Sequence, residues 1–197
     1  MVSSVVGKAI GKLKFLYRYK DILDFQLRKK LCSALIQCHL EYCSTSWFSS
    51  LLSRDKCKLQ IIQNKMVPYI LNLTPRSHIG QAQFIASDCL RVNDRVKQLR
   101  LNHVYKIVNG SSPMYLKDNF TSISTKHRYG TRNSSTNFYV PQVNSVTKCS
   151  FFYNAILDWN VLQESIKRSS SLAMFKNNVK MFLVNSSTQR ENCDFSY

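Results

Sequence analysis

The chain has 197 residues, 44% of them hydrophobic, which is enough for one or two modest domains with a sizeable core. Its 28 Lys and Arg against 11 Asp and Glu give a formal charge of +17, a surplus that repels itself in a compact fold and points to a polyanionic partner, nucleic acid first and an anionic membrane surface second. Five Gly, four Pro and seven scattered Cys exclude a collagen-like or disordered chain and a small disulfide scaffold.

The opening MVSSVVGKAIGKLKFLYRYK contains no uninterrupted apolar stretch and no small-residue cleavage site, so no secretory signal is expected in it. No run approaches the roughly 18 apolar residues of a spanning helix. The expectation is an intracellular protein, cytoplasmic or nuclear, with reduced thiols and no membrane partner. The Asn-x-Ser/Thr sequons at Asn72, Asn109, Asn119, Asn133 and Asn185 then read as by-products of a chain rich in Asn and Ser.

The first half reads as amphipathic helices. Val2, Val5, Ala9, Leu13 and Leu16 recur at steps of three and four and share one face, while Lys8, Lys12, Lys14 and Arg18 project from the rest. Asp21 or Asp24 can cap a second helix with a stripe of Leu27, Leu31, Ala34 and Leu35, and Arg28, Lys29 and Lys30 sit in its early turns. A Ser-rich loop follows, residues 44–53. A third helix starting at Ser53 buries Leu59, Ile62, Met66, Tyr69 and Ile70 and ends near Leu73. Pro68 inside it removes a backbone donor and is expected to kink or shorten it.

Residues 75–87 read as looser chain. A fourth helix spans about 93–108 on Val96, Leu99, His103 or Val104, and Ile107, stopped by Asn109-Gly110. Residues 121–148 are rich in Ser, Thr and Asn with no sustained helical period, and FYVPQV and SVTKCSFF can pair as one short β-hairpin near residues 138–150. Two closing helices follow, striped by Phe152, Ala155, Ile156, Trp159 and Leu162, then by Leu172, Phe175, Val179, Phe182 and Leu183. The expected fold is mainly α: a helical bundle over 1–74, a helical continuation over 75–120, an irregular connector over 121–150, a helical pair over 151–185 and a frayed tail over 186–197. Residues 1–100 hold 17 Lys and Arg against 6 acids, and residues 101–197 hold 11 against 5, so a binding surface belongs mainly to the first half.

Little in the sequence supports catalysis. Two-metal phosphoryl transfer needs clustered carboxylates, whereas the nearest approach here, Asp21 and Asp24, is better explained by capping. Glycine is too scarce for a phosphate loop. The four histidines (His39, His78, His103 and His127) are far apart and no nucleophile signature accompanies them. Cys32, Cys38, His39 and Cys43 form the one metal-like cluster. Cys32, His39 and Cys43 would share a helix face, but the spacing lacks the paired knuckles of zinc sites, and buried thiols are the favoured reading. No catalytic residue, metal or cofactor is therefore expected. The basic residues carry more: Lys8, Lys12, Arg18, Arg28, Lys29 and Lys30, with Lys56, Lys58 and Lys65, can line a phosphate-facing groove, and Tyr17, Tyr19 and Phe25 are interleaved with them.

In order along the chain, five segments resemble the part of non-LTR (LINE-type, jockey-like) retrotransposon reverse transcriptases that follows the catalytic palm. AIGKLKFLYR resembles the helix opening the thumb. LCSALIQCHLEYCSTSWFS is similar to an aliphatic run followed by H-L-[DE]-Y-[CA]-x-x-x-W. LQIIQNKMVPYIL is similar to L-x-x-[IV]-Q-N-[KR]-A-x-R-x-[IL]. RVNDRVKQLRLNHVYKIVNGSSPMYLKDNF resembles a stretch ending in Y-K-I-x-N-G-x-x-P-x-Y-L. TRNSSTNFYVPQV with SFFYNAILDWNVLQESIK resembles the R-N-S-x-x-F-x-x-P and W-N-x-L-P region. The resemblance covers about residues 8–184.

It implies a thumb-like helical bundle plus a second helical unit, a fragment of an RNA-directed DNA polymerase that is non-catalytic alone because the palm's F/Y-x-D-D motif is not within these residues. It assigns Lys8, Lys12, Lys14 and Arg18, with Arg28, Lys29 and Lys30, to the phosphate backbone of RNA or an RNA–DNA duplex. It makes the palm domain a candidate protein partner, and His39, Glu41, Tyr42 and Trp47 a structural turn. An inert relic or protein-interaction module is the alternative, and a small nuclease using Asp21 and Asp24 ranks third. Pro68 stands where the family usually has Arg, and Arg91 and Gln163 where it usually has Pro. These departures read as drift, and Pro68→Arg is expected at this level to raise the melting temperature.

Overall fold

The computed structural model describes residues 2–126 and 136–194, with side chains through Ser187. The fold is mainly α, as the periodicity requires. Its residues divide into two compact units, one of 1–44, 51–95 and 184–197, the other of 45–50 and 96–183.

In the first unit, α1 (Val2–Tyr17) buries Val2, Ala9, Leu13 and Leu16, the stripe read from sequence. It packs on α5 (Ser53–Leu71), whose buried face includes Leu59, Ile62, Met66, Tyr69 and Ile70. Between them, α2 (Phe25–Cys32) is capped by Asp24, whose Oδ1 accepts from the Leu27 amide at 2.8 Å. This occupies the carboxylate in holding a helix end. Asp24→Ala is expected to cost about 1 kcal/mol, read as a lower urea midpoint; an unchanged midpoint would mean the cap contributes nothing.

The stripe of this segment differs from the expected one. Leu27 and Ala34 are exposed, and Arg28, Cys32, Ile36 and Leu40 are buried instead. Arg28 and Cys32 already face inward in α2, and a π-turn, Ser33–Gln37, joins α2 to α3 (Cys38–Glu41), with Ile36 and Leu40 inward across it. The Ser-rich segment is not a plain loop, because it contains α4 (Ser44–Trp47) and a 3-10 turn, Phe48–Ser50. Pro68 does not end α5. The helix runs on to Leu71 and stops at Asn72 in the left-handed conformation (φ 59°). There the amides of Leu73 and Asn72 bond the carbonyls of Pro68 and Tyr69 at 2.9 and 3.4 Å. The stretch read as loose holds α6 (Gln81–Ala86), entered where the Gly80 amide donates to Gln83 Oε1 at 2.9 Å.

Three helices contribute residues to both units: α4, by Ser44 alone, α7 (Val92–Val108) and α11 (Leu172–Asp194). Within the first unit α11 continues past the point where the sequence suggested fraying. Ser187 is buried and its hydroxyl bonds Asp94 Oδ2 at 2.8 Å, which gives this turn a polar anchor.

The second unit contains α8 (Ile123–Lys126), α9 (Phe151–Val161) and α10 (Glu164–Lys167). Its core is an aromatic chain: Tyr105 stacks on Phe175 with centroids 4.3 Å apart, Phe175 meets Trp159, and Trp159 meets Phe138, which meets Phe120. The proposed hairpin is not formed. Phe138 makes an isolated antiparallel bridge to Ser122. Asn160 clasps the Phe138 backbone from α9, accepting from its amide at 2.9 Å and donating to its carbonyl at 2.8 Å. The partner half of the hairpin is otherwise engaged: Thr147–Cys149 is a 3-10 turn that leads into Ser150, whose hydroxyl caps α9. Pro141, with no amide hydrogen, could not continue a ladder.

Candidate nucleic-acid interface

The basic residues read from sequence have different fates. Lys8, Lys12 and Lys14 are exposed on α1, and Arg18 is exposed in the turn that follows. At about 100° per residue, the three lysines fan across roughly 160° of the helix, opposite the buried stripe, and Arg18 follows them. None has an acidic partner among the described residues. Within the same arc stands Phe15, 50% exposed and against Tyr19 with centroids 5.4 Å apart. Phe15 was missed because a helical Phe reads as core; its position between Lys14 and Leu16, off the apolar stripe, was the available signal.

The α2 cations do not share one surface. Lys30 is exposed, whereas Lys29 pairs with Asp88 at 2.8 Å. Arg28 lies inside the first unit, 7% exposed, where its Nε and the fully buried Tyr69 hydroxyl have no hydrogen-bond partner. Of the α5 lysines, Lys58 bonds Asp55 at 2.8 Å, and this bond holds the half-buried Asp55 carboxyl below its ordinary range. Lys65 is exposed. Lys20 is spent on the fold, donating to the Leu73 carbonyl at 3.0 Å.

The remaining polar groups serve structure. Glu41 takes both Nε and Nη2 of Arg95, at 2.7 and 3.0 Å, which supports the structural reading of that motif. Cys32 is fully buried; burial first, and then the nearby Cys89, pushes its thiol up to about 12, with Arg28 opposing. A thiol so protonated is a packing group, not a ready metal ligand or nucleophile. Cys43 lies outside the helices at a positive φ of 49°, so it does not continue the face of Cys32 and His39. Among the described residues no group of three or more His, Cys, Asp or Glu is placed to hold a metal. His127 lies outside the described residues, as does the TRNSS run. No described helix is long and apolar enough to cross a membrane.

A cleft opens on the first unit. It has a volume of about 390 Å³ and is lined by Ile10, Leu13, Lys14, Tyr17, Lys65 and Pro75. The Tyr17 ring meets Tyr69 edge-on with centroids 5.1 Å apart, and its hydroxyl donates to the Lys65 carbonyl at 3.4 Å. Burial raises the Tyr17 phenol above its ordinary value, so it stays neutral.

Comparison with protein families, with curated proteins and with solved structures finds no match to this chain.

Proposed function

We propose that the chain is a non-catalytic nucleic-acid-binding module, a piece from the thumb and following region of a non-LTR retrotransposon reverse transcriptase, that holds RNA or an RNA–DNA duplex by its phosphates. The observation that carries this reading is the exposed arc of α1. Lys8, Lys12, Lys14 and Arg18 meet solvent there without carboxylate partners, while Lys29, Lys58, Arg95, Arg100 and Arg168 are ion-paired. A row of uncompensated cations beside exposed aromatic rings suits a phosphate backbone with sequence-independent contacts. The family assignment rests on the ordered motifs. It is helped by the meeting of two of them: Phe138 of the F-x-x-P segment is clasped by Asn160 of the W-N segment.

The test is anisotropy of a labelled RNA–DNA hybrid with the purified chain across a salt series. Binding is expected to weaken about tenfold or more between roughly 50 and 200 mM salt. Replacing Lys8, Lys12 and Arg18 together by Ala is expected to weaken binding to any duplex and to flatten the salt slope by up to about three units. An unchanged slope would remove these residues from the interface.

A second reading, a protein-interaction module whose partner could be the palm, is favoured by apolar side chains left at the surface of the first unit. Ile22 is 81% exposed, and Leu27 and Ile61 are also open. Association that ignores salt would select it.

A further inference from the structure

We infer that the cleft between α1 and α5 receives an unpaired nucleobase of the bound strand, recognising its face and not its edge. This rests on the nucleic-acid reading above. The cleft's volume of about 390 Å³ falls within the roughly 300–1,000 Å³ of small-molecule sites, and it is ample for a base with its sugar. Its walls are mostly apolar, from Ile10, Leu13 and Pro75, with the Tyr17 ring beside them. Lys14 and Lys65 line the same cleft and are both exposed, so a base entering it carries its own phosphate toward two ammonium groups. Lys14 also belongs to the α1 cation arc, which makes the cleft continuous with the surface proposed to hold the backbone. Charge therefore selects an occupant that is flat and apolar in its buried part and polyanionic outside it.

The polar inventory decides how the base is read. The Tyr17 hydroxyl already donates to the Lys65 carbonyl, and the two lysines are donors only. The Tyr17 oxygen can still accept, but the lysine ammoniums that would donate beside it ride on flexible stems, so the lining side chains hold no fixed donor–acceptor pair with which to tell one base edge from another. Stacking and apolar contact tolerate every base, because each has the same kind of face. The cleft accordingly adds affinity for unpaired nucleotides, at a strand end or a single-stranded junction, without adding sequence preference.

The experiment compares three labelled probes on the full chain: a blunt RNA–DNA hybrid, a short unpaired RNA, and an abasic strand of the same length and charge as that RNA. The unpaired RNA is expected to bind about 5- to 150-fold more tightly than the abasic strand, the span of base–aromatic stacking. Purine and pyrimidine strands should differ little. Ile10→Trp, which fills the cleft from a half-buried position, is expected to erase the difference and leave hybrid and abasic binding unchanged, with the helical circular dichroism retained. Equal binding of the RNA and the abasic strand by the native chain would overturn the cleft proposal while the phosphate reading stands. A base-dependent increment that survives Ile10→Trp would overturn it too, by placing the base elsewhere. No binding of any probe at low salt would remove the nucleic-acid reading and the cleft proposal together.

Discussion

Asp158→Ala is expected to destabilise the protein by about 3–5 kcal/mol, the range for breaking one side of a buried ion pair. Asp158 Oδ2 accepts from both Nε and Nη2 of Arg100, at 2.9 and 2.6 Å, and Nη1 donates to Ser49 Oγ at 2.8 Å. The side chains are 5% and 17% exposed, so water cannot take over when one partner is removed. The loss measures the guanidinium left behind, not the net worth of the pair. Desolvating two charges offsets most of their attraction, and joint replacement by Leu is expected to cost far less than either single change. Urea unfolding followed by circular dichroism checks both variants through their midpoints. A loss below about 1 kcal/mol in Asp158→Ala would mean the pair is solvated in solution, as surface pairs are.

Arg100 also shows where the sequence stops being legible. The α1 and α5 stripes could be read because polar residues there face water, the condition that makes periodicity informative. Helix α7 breaks that condition. Gln98, Arg100 and Asn102 are buried with Val96, Leu101 and Val104, and the buried cation is satisfied by partners more than 50 positions away in the chain. Leu99, placed on the apolar face by spacing, is only half-buried, and His103 is exposed. In α2 the inward residues are Arg28 and Cys32, one position on from the expected Leu27 and Leu31, and the π-turn at Ser33–Gln37 follows, with Ile36 and then Leu40 inward. No propensity marks such a turn. The candidate interface was legible where it depended on α1 alone. Its division into free and committed cations was legible only in part: Asp55 stands three residues before Lys58 on one helix, whereas Lys29 finds Asp88 59 positions away in the chain. The cleft joins residue 10 to residue 75 and had no linear signature.

Position 68 turns the same lesson into a sign. From sequence alone Pro68→Arg should stabilise, since an interior helical proline costs about 3 kcal/mol relative to Ala. In the folded chain Pro68 is buried with Val67, Tyr69 and Ile70, and its carbonyl takes the Leu73 amide that closes α5. Arginine there would regain the amide hydrogen, but it would bring a guanidinium into a site that already holds the unpartnered Tyr69 hydroxyl on the next residue. Burying an unpaired charge costs several kcal/mol, more than the helix gains. Pro68→Arg is thus expected to lower stability by about 2 kcal/mol, or on the order of 4–8 °C in melting temperature for a chain of this length. Pro68→Ala separates the terms. It restores the hydrogen bond to the Asn64 carbonyl and adds no charge, while giving up the burial of two ring methylenes at about 0.8 kcal/mol each. Added freedom of the unfolded chain offsets a little more. The remainder is a gain of about 1 kcal/mol. Thermal unfolding of the two variants side by side should move the midpoint in opposite directions. A rise in both would mean that the arginine reaches water and that the last turn of α5 is more open than its packing against α1 and α2 requires.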